Sequence, residues 1–195
     1  MTTQTQTRFR LNNVRCDWPN LFKGEQYQGK GNFRCGAALI LGKDHPQFKD
    51  VEAAIVEAAT VKWKKDAQTN LKIAKAKDNI CMRDGDIKAA KSDGYADMFY
   101  ISANCKGGET EAECDKPKVY AADRSVVETQ AKSPIYRGCY VNAVVEFYAD
   151  DRFDTGVFAK LVGIQFAKDG DAFGSAPARA DDFEDVSAGA ESGLF

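Results

Sequence analysis

Apolar and polar residues alternate at period two over several stretches of the chain, the pattern of strands with one buried face, while one stretch repeats at helical spacing. In residues 8–16 the alternation places Phe9 and Leu11 inward and Arg8 and Arg10 outward. Residues 17–22 predict a turn at Pro19, and residues 23–32, with Gly24, Gly29 and Gly31, a loop. A second strand follows over residues 32–41, with Phe33, Cys35, Ala37, Leu39 and Leu41 on one face and Arg34 on the other. Pro46 suits the first turn of a helix that Asp44 or His45 can cap. Phe48, Val51, Ile55 and Ala59 then recur at helical spacing up to about Lys65.

Residues 97–105 turn Phe99, Ile101, Ala103 and Cys105 inward and Tyr100 outward, and residues 117–120 make a short extended piece. Residues 136–148 set Cys139, Val141, Ala143, Val145 and Phe147 against a face that holds Tyr140. Residues 157–168 follow after a turn at 150–156, a gap that suits a hairpin. This set, mainly β with one packed amphipathic helix and long polar loops, predicts a small closed barrel of about five strands. A helical, basic insertion spans about residues 44–92.

A length of 195 residues fits one domain with a sizeable core. Mean hydropathy is −0.45, and the longest aliphatic run, residues 37–41, is far too short to cross a bilayer. The polar first seven residues lack the apolar core of a secretory signal, which points to a reducing cytoplasm. The six cysteines show no C-x-x-C and no Cys/His pairing, so no zinc site is expected. Three of them lie in strand patterns as small hydrophobes, and Cys105 with Cys114 is the pair best spaced for a disulfide.

Charge divides the chain. All 27 basic residues precede Asp181, whereas five of the 29 acidic residues (Asp181, Asp182, Glu184, Asp185 and Glu191) follow Arg179, leaving a body of +3 and a tail of −5. A basic body suits a polyanion, and an acidic, core-poor segment over residues 179–195 suits a solvated arm that occupies the same groove or recruits a partner. Enzymatic chemistry finds little support. His45, the only histidine, stands at a helix start, and no nucleophile elbow, phosphate loop or zincin motif is present. Asp84 with Asp86, and Asp150 with Asp151 and Asp154, could hold magnesium for a nuclease, but both groups sit in turns that favour Asp for its backbone hydrogen bonds.

Several stretches in order resemble the single-stranded DNA-binding proteins of bacteriophage replication. They are residues 11–15 with 18–22, residues 83–86, residues 93–95 with 101–103, residues 136–143, and residues 163–170 followed by the acidic run. The resemblance implies an OB-fold barrel over residues 1–178, with no cofactor and no catalysis. It implies sequence-tolerant binding of single-stranded DNA in replication or recombination, inside the host cytoplasm. It also implies a tail that contacts replication proteins such as polymerase, helicase or primase. One departure is that residues 187–194, with Glu191 alone acidic, separate the acidic run from the terminal Phe195.

Under this reading Trp18, Phe22, Tyr27, Tyr100 and Tyr140 stack on bases, and Arg8, Arg10, Lys23, Lys30, Arg34, Arg83 and Arg137 contact phosphates. The tail, including Phe195, is the partner-binding segment. Core packing is the alternative for each aromatic, most of all for Trp18 and Phe22. A protein-interaction or structural phage module, and the nuclease, are the competing functions.

Overall fold

The computed structural model describes residues 7–89 and 94–174, apart from the side chains of Thr7 and Tyr27. The acidic tail, with Asp181, Asp182, Glu184, Asp185, Glu191 and Phe195, lies outside the described residues. Seven strands and two main helices are present: β1 (Thr7–Tyr27), β2 (Lys30–Gly42), α1 (Phe48–Trp63), α2 (Ala67–Ala76), β3 (Met82–Asp84), β4 (Met98–Asn104), β5 (Lys118–Tyr120), β6 (Tyr140–Asp150) and β7 (Gly156–Lys168). A single short turn of helix, α3 (Asp86–Ala89), follows β3.

β1 pairs with both β2 and β6, β2 with β4, and β6 with β7, all antiparallel. A parallel contact of β4 with β7 at Ala103 and Ala159 closes the ring. The result is a closed five-stranded barrel of the OB type. The three-residue strands β3 and β5 flank it on β4 and β7.

Period-two burial fills the barrel as the sequence predicts. Cys35, Ala37, Leu39 and Leu41 of β2, Ile101 and Ala103 of β4, and Val141, Ala143, Val145 and Phe147 of β6 are all buried in one core. α1 adds Val51, Ala54, Ile55, Ala58 and Ala59, spaced three and four residues apart, and lies chiefly against β6 and α2.

Four local expectations are corrected. Pro19 makes no turn, because β1 runs through it. Bulges absorb the irregularity instead, with the backbone left-handed at Asn13 (φ 54°) and Trp18 (φ 48°). The loop expected at 23–32 is the end of β1, a tight turn, and the start of β2. The helix is not capped by Asp44 or His45. Its cap residue is Gln47, whose side chain accepts from Asn12 N–H (2.8 Å) and donates to the Arg10 carbonyl (2.8 Å), tying α1 to β1. The insertion also holds a second helix, α2, where one was predicted.

All six thiols are free and buried. Cys105 and Cys114 form no disulfide. Cys105 donates to the Leu161 carbonyl, and Cys114 lies 3.5 Å from Cys35 instead. Burial pushes the thiols of Cys35, Cys81 and Cys105 up to about 12. The native chain is therefore expected to leave a thiol-specific disulfide reagent unconsumed at pH 8, and to consume six equivalents once unfolded in guanidinium. Rapid reaction of the native protein would show that the core opens far more readily than its packing implies.

Candidate nucleic-acid interface

The bulge at Asn13 reverses the parity of β1. Before it, Leu11 faces the core; after it, Val14 and Cys16 do, so Arg15 and Asp17 turn to the outside of the barrel. Arg15 pairs there with Tyr140, and the backbone of Cys16 exchanges hydrogen bonds with Gly138 and Cys139. Residues 15–18 and 137–140 are thus held side by side.

Asp17 organises this patch. Its carboxylate is fully buried, and it accepts hydrogen bonds from Trp18 N–H (2.9 Å), the Tyr95 hydroxyl (2.9 Å) and Arg137 Nε (2.6 Å). Burial first, and the charge of Asp17 second, raise the Tyr95 phenol far above its ordinary range, so it stays a neutral donor. A left-handed backbone at a bulky residue costs roughly 1–3 kcal/mol, and the hydrogen bond from Trp18 N–H to Asp17 offsets that strain. It projects the Trp18 ring outward, 53% exposed, with the Arg137 guanidinium 4.0 Å from its centroid.

Beside this stack, Tyr140 lies between two cations. Arg15 is 5.4 Å and Lys168 4.5 Å from its ring centroid. Arg15 also donates to the Gly138 carbonyl (3.0 Å) and lies 4.4 Å from the Phe173 ring. An exposed indole backed by a guanidinium, with a phenol flanked by two cations, offers both flat faces for bases and positive charge for phosphates.

The structure brings three of the expected residues, Trp18, Arg137 and Tyr140, into this one cluster. Arg8 and Arg10 are exposed further along β1, opposite Glu146 and Val144. Lys23, Lys30 and Arg34 are exposed on the other half of β1 and on β2. The side chain of Tyr27 lies outside those described.

Three assignments change. Phe22 packs against the barrel core and is not a free platform. Arg83 donates to the Ile80 and Asp78 carbonyls and lies 3.4 Å from the Asp78 carboxylate, which commits it to its own loop. Tyr100 faces away from the barrel interior as predicted, but it is only 3% exposed, with Tyr95 edge to face against it and Lys88 over its ring. Arg15, Lys168 and Asp17 were missed as site residues. Only the parity switch at Asn13 could have marked the first and third, and it is invisible without the pairing register.

Of the carboxylates weighed as a magnesium site, Asp84 and Asp86 accept from the backbone N–H groups of Asp86 and Asp97, and the other three are each matched to a cation. Asp150 binds Arg152, Asp151 binds Lys62 and Trp63 Nε1, and Asp154 binds Lys77. Phe153 between them is 98% exposed.

A closed barrel with an aromatic and cationic outer patch defines an OB-fold protein of the single-strand-binding class. The chain belongs to the family described as "Enterobacter phage Enc34, ssDNA-binding protein", whose profile matches residues 7–193. Members of this class bind and do not catalyse. A "Putative protein p50" of Acyrthosiphon pisum secondary endosymbiont phage 1 is 37% identical over 192 residues, which cover 96% of this chain and 98% of that one. The Enc34 protein in complex with ssDNA has a similar fold, with a TM-score of 0.68, 23% identity, and coverage of 89% of this chain and 96% of that one. Gp2.5 of bacteriophage T7 is also similar in fold, with a TM-score of 0.56, 9% identity and 98% coverage of both chains.

Removing the central carboxylate tests the cluster's architecture. Breaking a buried ion pair from one side costs about 3–5 kcal/mol. Arg137 remains a third exposed, so Asp17→Ala is expected to lower unfolding stability in urea by about 2–3 kcal/mol. Asp17→Asn, which keeps an acceptor for Trp18 N–H, is expected to lose less.

Proposed function

We propose that this protein binds single-stranded DNA without sequence preference during phage replication or recombination, inside the host cytoplasm. The observation that carries the reading is the Trp18 ring, exposed on one side and held on the other by Arg137 and Asp17. Side chains positioned before the ligand arrives lose less freedom on binding. A base stacks on the open face of Trp18 and a neighbouring one on Tyr140. Arg15, Arg137 and Lys168 neutralise the phosphates between them, and Arg8, Arg10, Lys23, Lys30 and Arg34 extend the track. Every base has a π-face, so such a site tolerates any sequence.

The acidic segment from Asp181 onward competes with DNA for this positive surface, and when displaced it contacts replication proteins such as polymerase, helicase or primase. Its charge of −5 is opposite in sign to the +3 of the body, which supports such competition.

Titration of a labelled oligo-dT at several salt concentrations tests the mechanism. If about four phosphates are neutralised, log affinity falls with log salt at a slope near −3. Trp18→Ala is expected to weaken binding by about 1–3 kcal/mol, about 5- to 150-fold, with little change in thermal stability. An unaltered affinity would remove Trp18 from the interface. Deletion of residues 181–195 is expected to tighten binding most at low salt, where the lost repulsion is least screened. Weaker or unchanged binding would end the competition model.

A further inference from the structure

The outside of the barrel carries a second buried cluster, separate from the core: Ala38 and Ile40 of β2, Tyr100 of β4, Tyr95 and Phe173. Within it Phe173 occupies a slot beside Tyr95 and against Gly94. Ala38 and Ile40 form its floor, and Tyr95 and Tyr100 meet edge to face at 5.4 Å and 80°. The ring that closes it is Phe173, 6.5 Å from Tyr95. Two cations frame the slot, Arg15 at 4.4 Å from the Phe173 centroid and Lys88 at 4.0 Å from that of Tyr100.

The backbone makes room for this occupant. Gly94 (φ +84°) has the Phe173 ring where a Cβ would stand, and Gly138 (φ +101°) has the Asp171 carbonyl in the same position. The segment that carries Phe173 is tied to the first cluster. Phe173 N–H donates to the Arg137 carbonyl (3.1 Å) and the Arg15 guanidinium donates to the Asp171 carbonyl, and both partners belong to the Trp18 and Tyr140 cluster. Asp17 joins the two sites directly, because one carboxylate holds Tyr95 of the slot and Arg137 of the stack.

We infer that this slot is a nucleobase subsite and that Phe173 is its resident substitute, displaced when single-stranded DNA binds. The inference rests on the single-strand-binding reading above and adds a place for a base beyond Trp18 and Tyr140. A base presents the same flat π-surface to Tyr95 as Phe173 does, and it brings a phosphate for Arg15 and Lys88, which the phenyl ring cannot supply. Exchanging one ring for another leaves the slot filled, so displacement forfeits little buried area.

The test places 4-fluorophenylalanine at position 173 of the full chain and follows its fluorine resonance while oligo-dT is added. The resonance is expected to move toward its position in the urea-unfolded protein, in step with saturation measured by anisotropy of labelled oligo-dT. Removing the occupant raises the binding-competent fraction, so Phe173→Ala is expected to bind oligo-dT about threefold tighter or more. That gain should vanish when Tyr100→Ala is added. A resonance that stays in place while oligo-dT saturates the chain overturns the subsite and leaves the Trp18 reading intact. Failure of the unmodified chain to bind oligo-dT sinks both. If Phe173→Ala does not fold, the fluorine signal alone decides.

Discussion

A carboxylate removed from water is stable only when its lone pairs are taken up by donors. Asp17 meets that requirement with three: its neighbour's backbone N–H, a phenol and a guanidinium. Each donor belongs to a different part of the outer surface, so satisfying one buried charge fixes the bulge at Trp18, the loop before β4 and the strap before β6 relative to one another. Side chains at a binding surface usually gain their order from the ligand. Here the barrel supplies it beforehand.

The barrel makes that possible because its closure leaves β1 with two partners over different halves of its length, β6 first and β2 second. A strand that passes between two neighbours must bend, and β1 does so through irregular register rather than through a turn. The bends carry the side chains of the proposed interface. Asn13 turns Arg15 and Asp17 outward, and Trp18 adopts a conformation that a β-strand interior would not tolerate. The regular half of the molecule, the β6–β7 hairpin, contributes Tyr140 and Lys168 from its open end.

Much of this architecture can be read from residue order. Period-two burial locates β2, β4, β6 and β7 to within a few residues, because each is half core and half surface and the two halves differ in chemistry. Helical spacing of Phe48, Val51, Ile55 and Ala59 locates α1 for the same reason. The reading fails where one residue shifts the register. Alternation starting from Phe9 puts Arg15 inside, and only the paired strand reveals the switch. It also fails where burial comes from a distant segment. Tyr100 lies on the predicted face, yet it is buried in a cluster that draws in Phe173, more than seventy residues later. Phe22 and Arg83 show the converse, in that residue type suggested an interface and local partners claim them first. Trp18 is the opposite case, an aromatic whose exposure follows from strain that no pattern encodes.

The two short flanking strands have a consequence for solubility. An open sheet crowded against its own copies offers long rows of unpaired amides and carbonyls, which invite strand-to-strand fusion into insoluble aggregates. Ring closure leaves no such row in the barrel itself, and β3 and β5 end the sheet after three residues each.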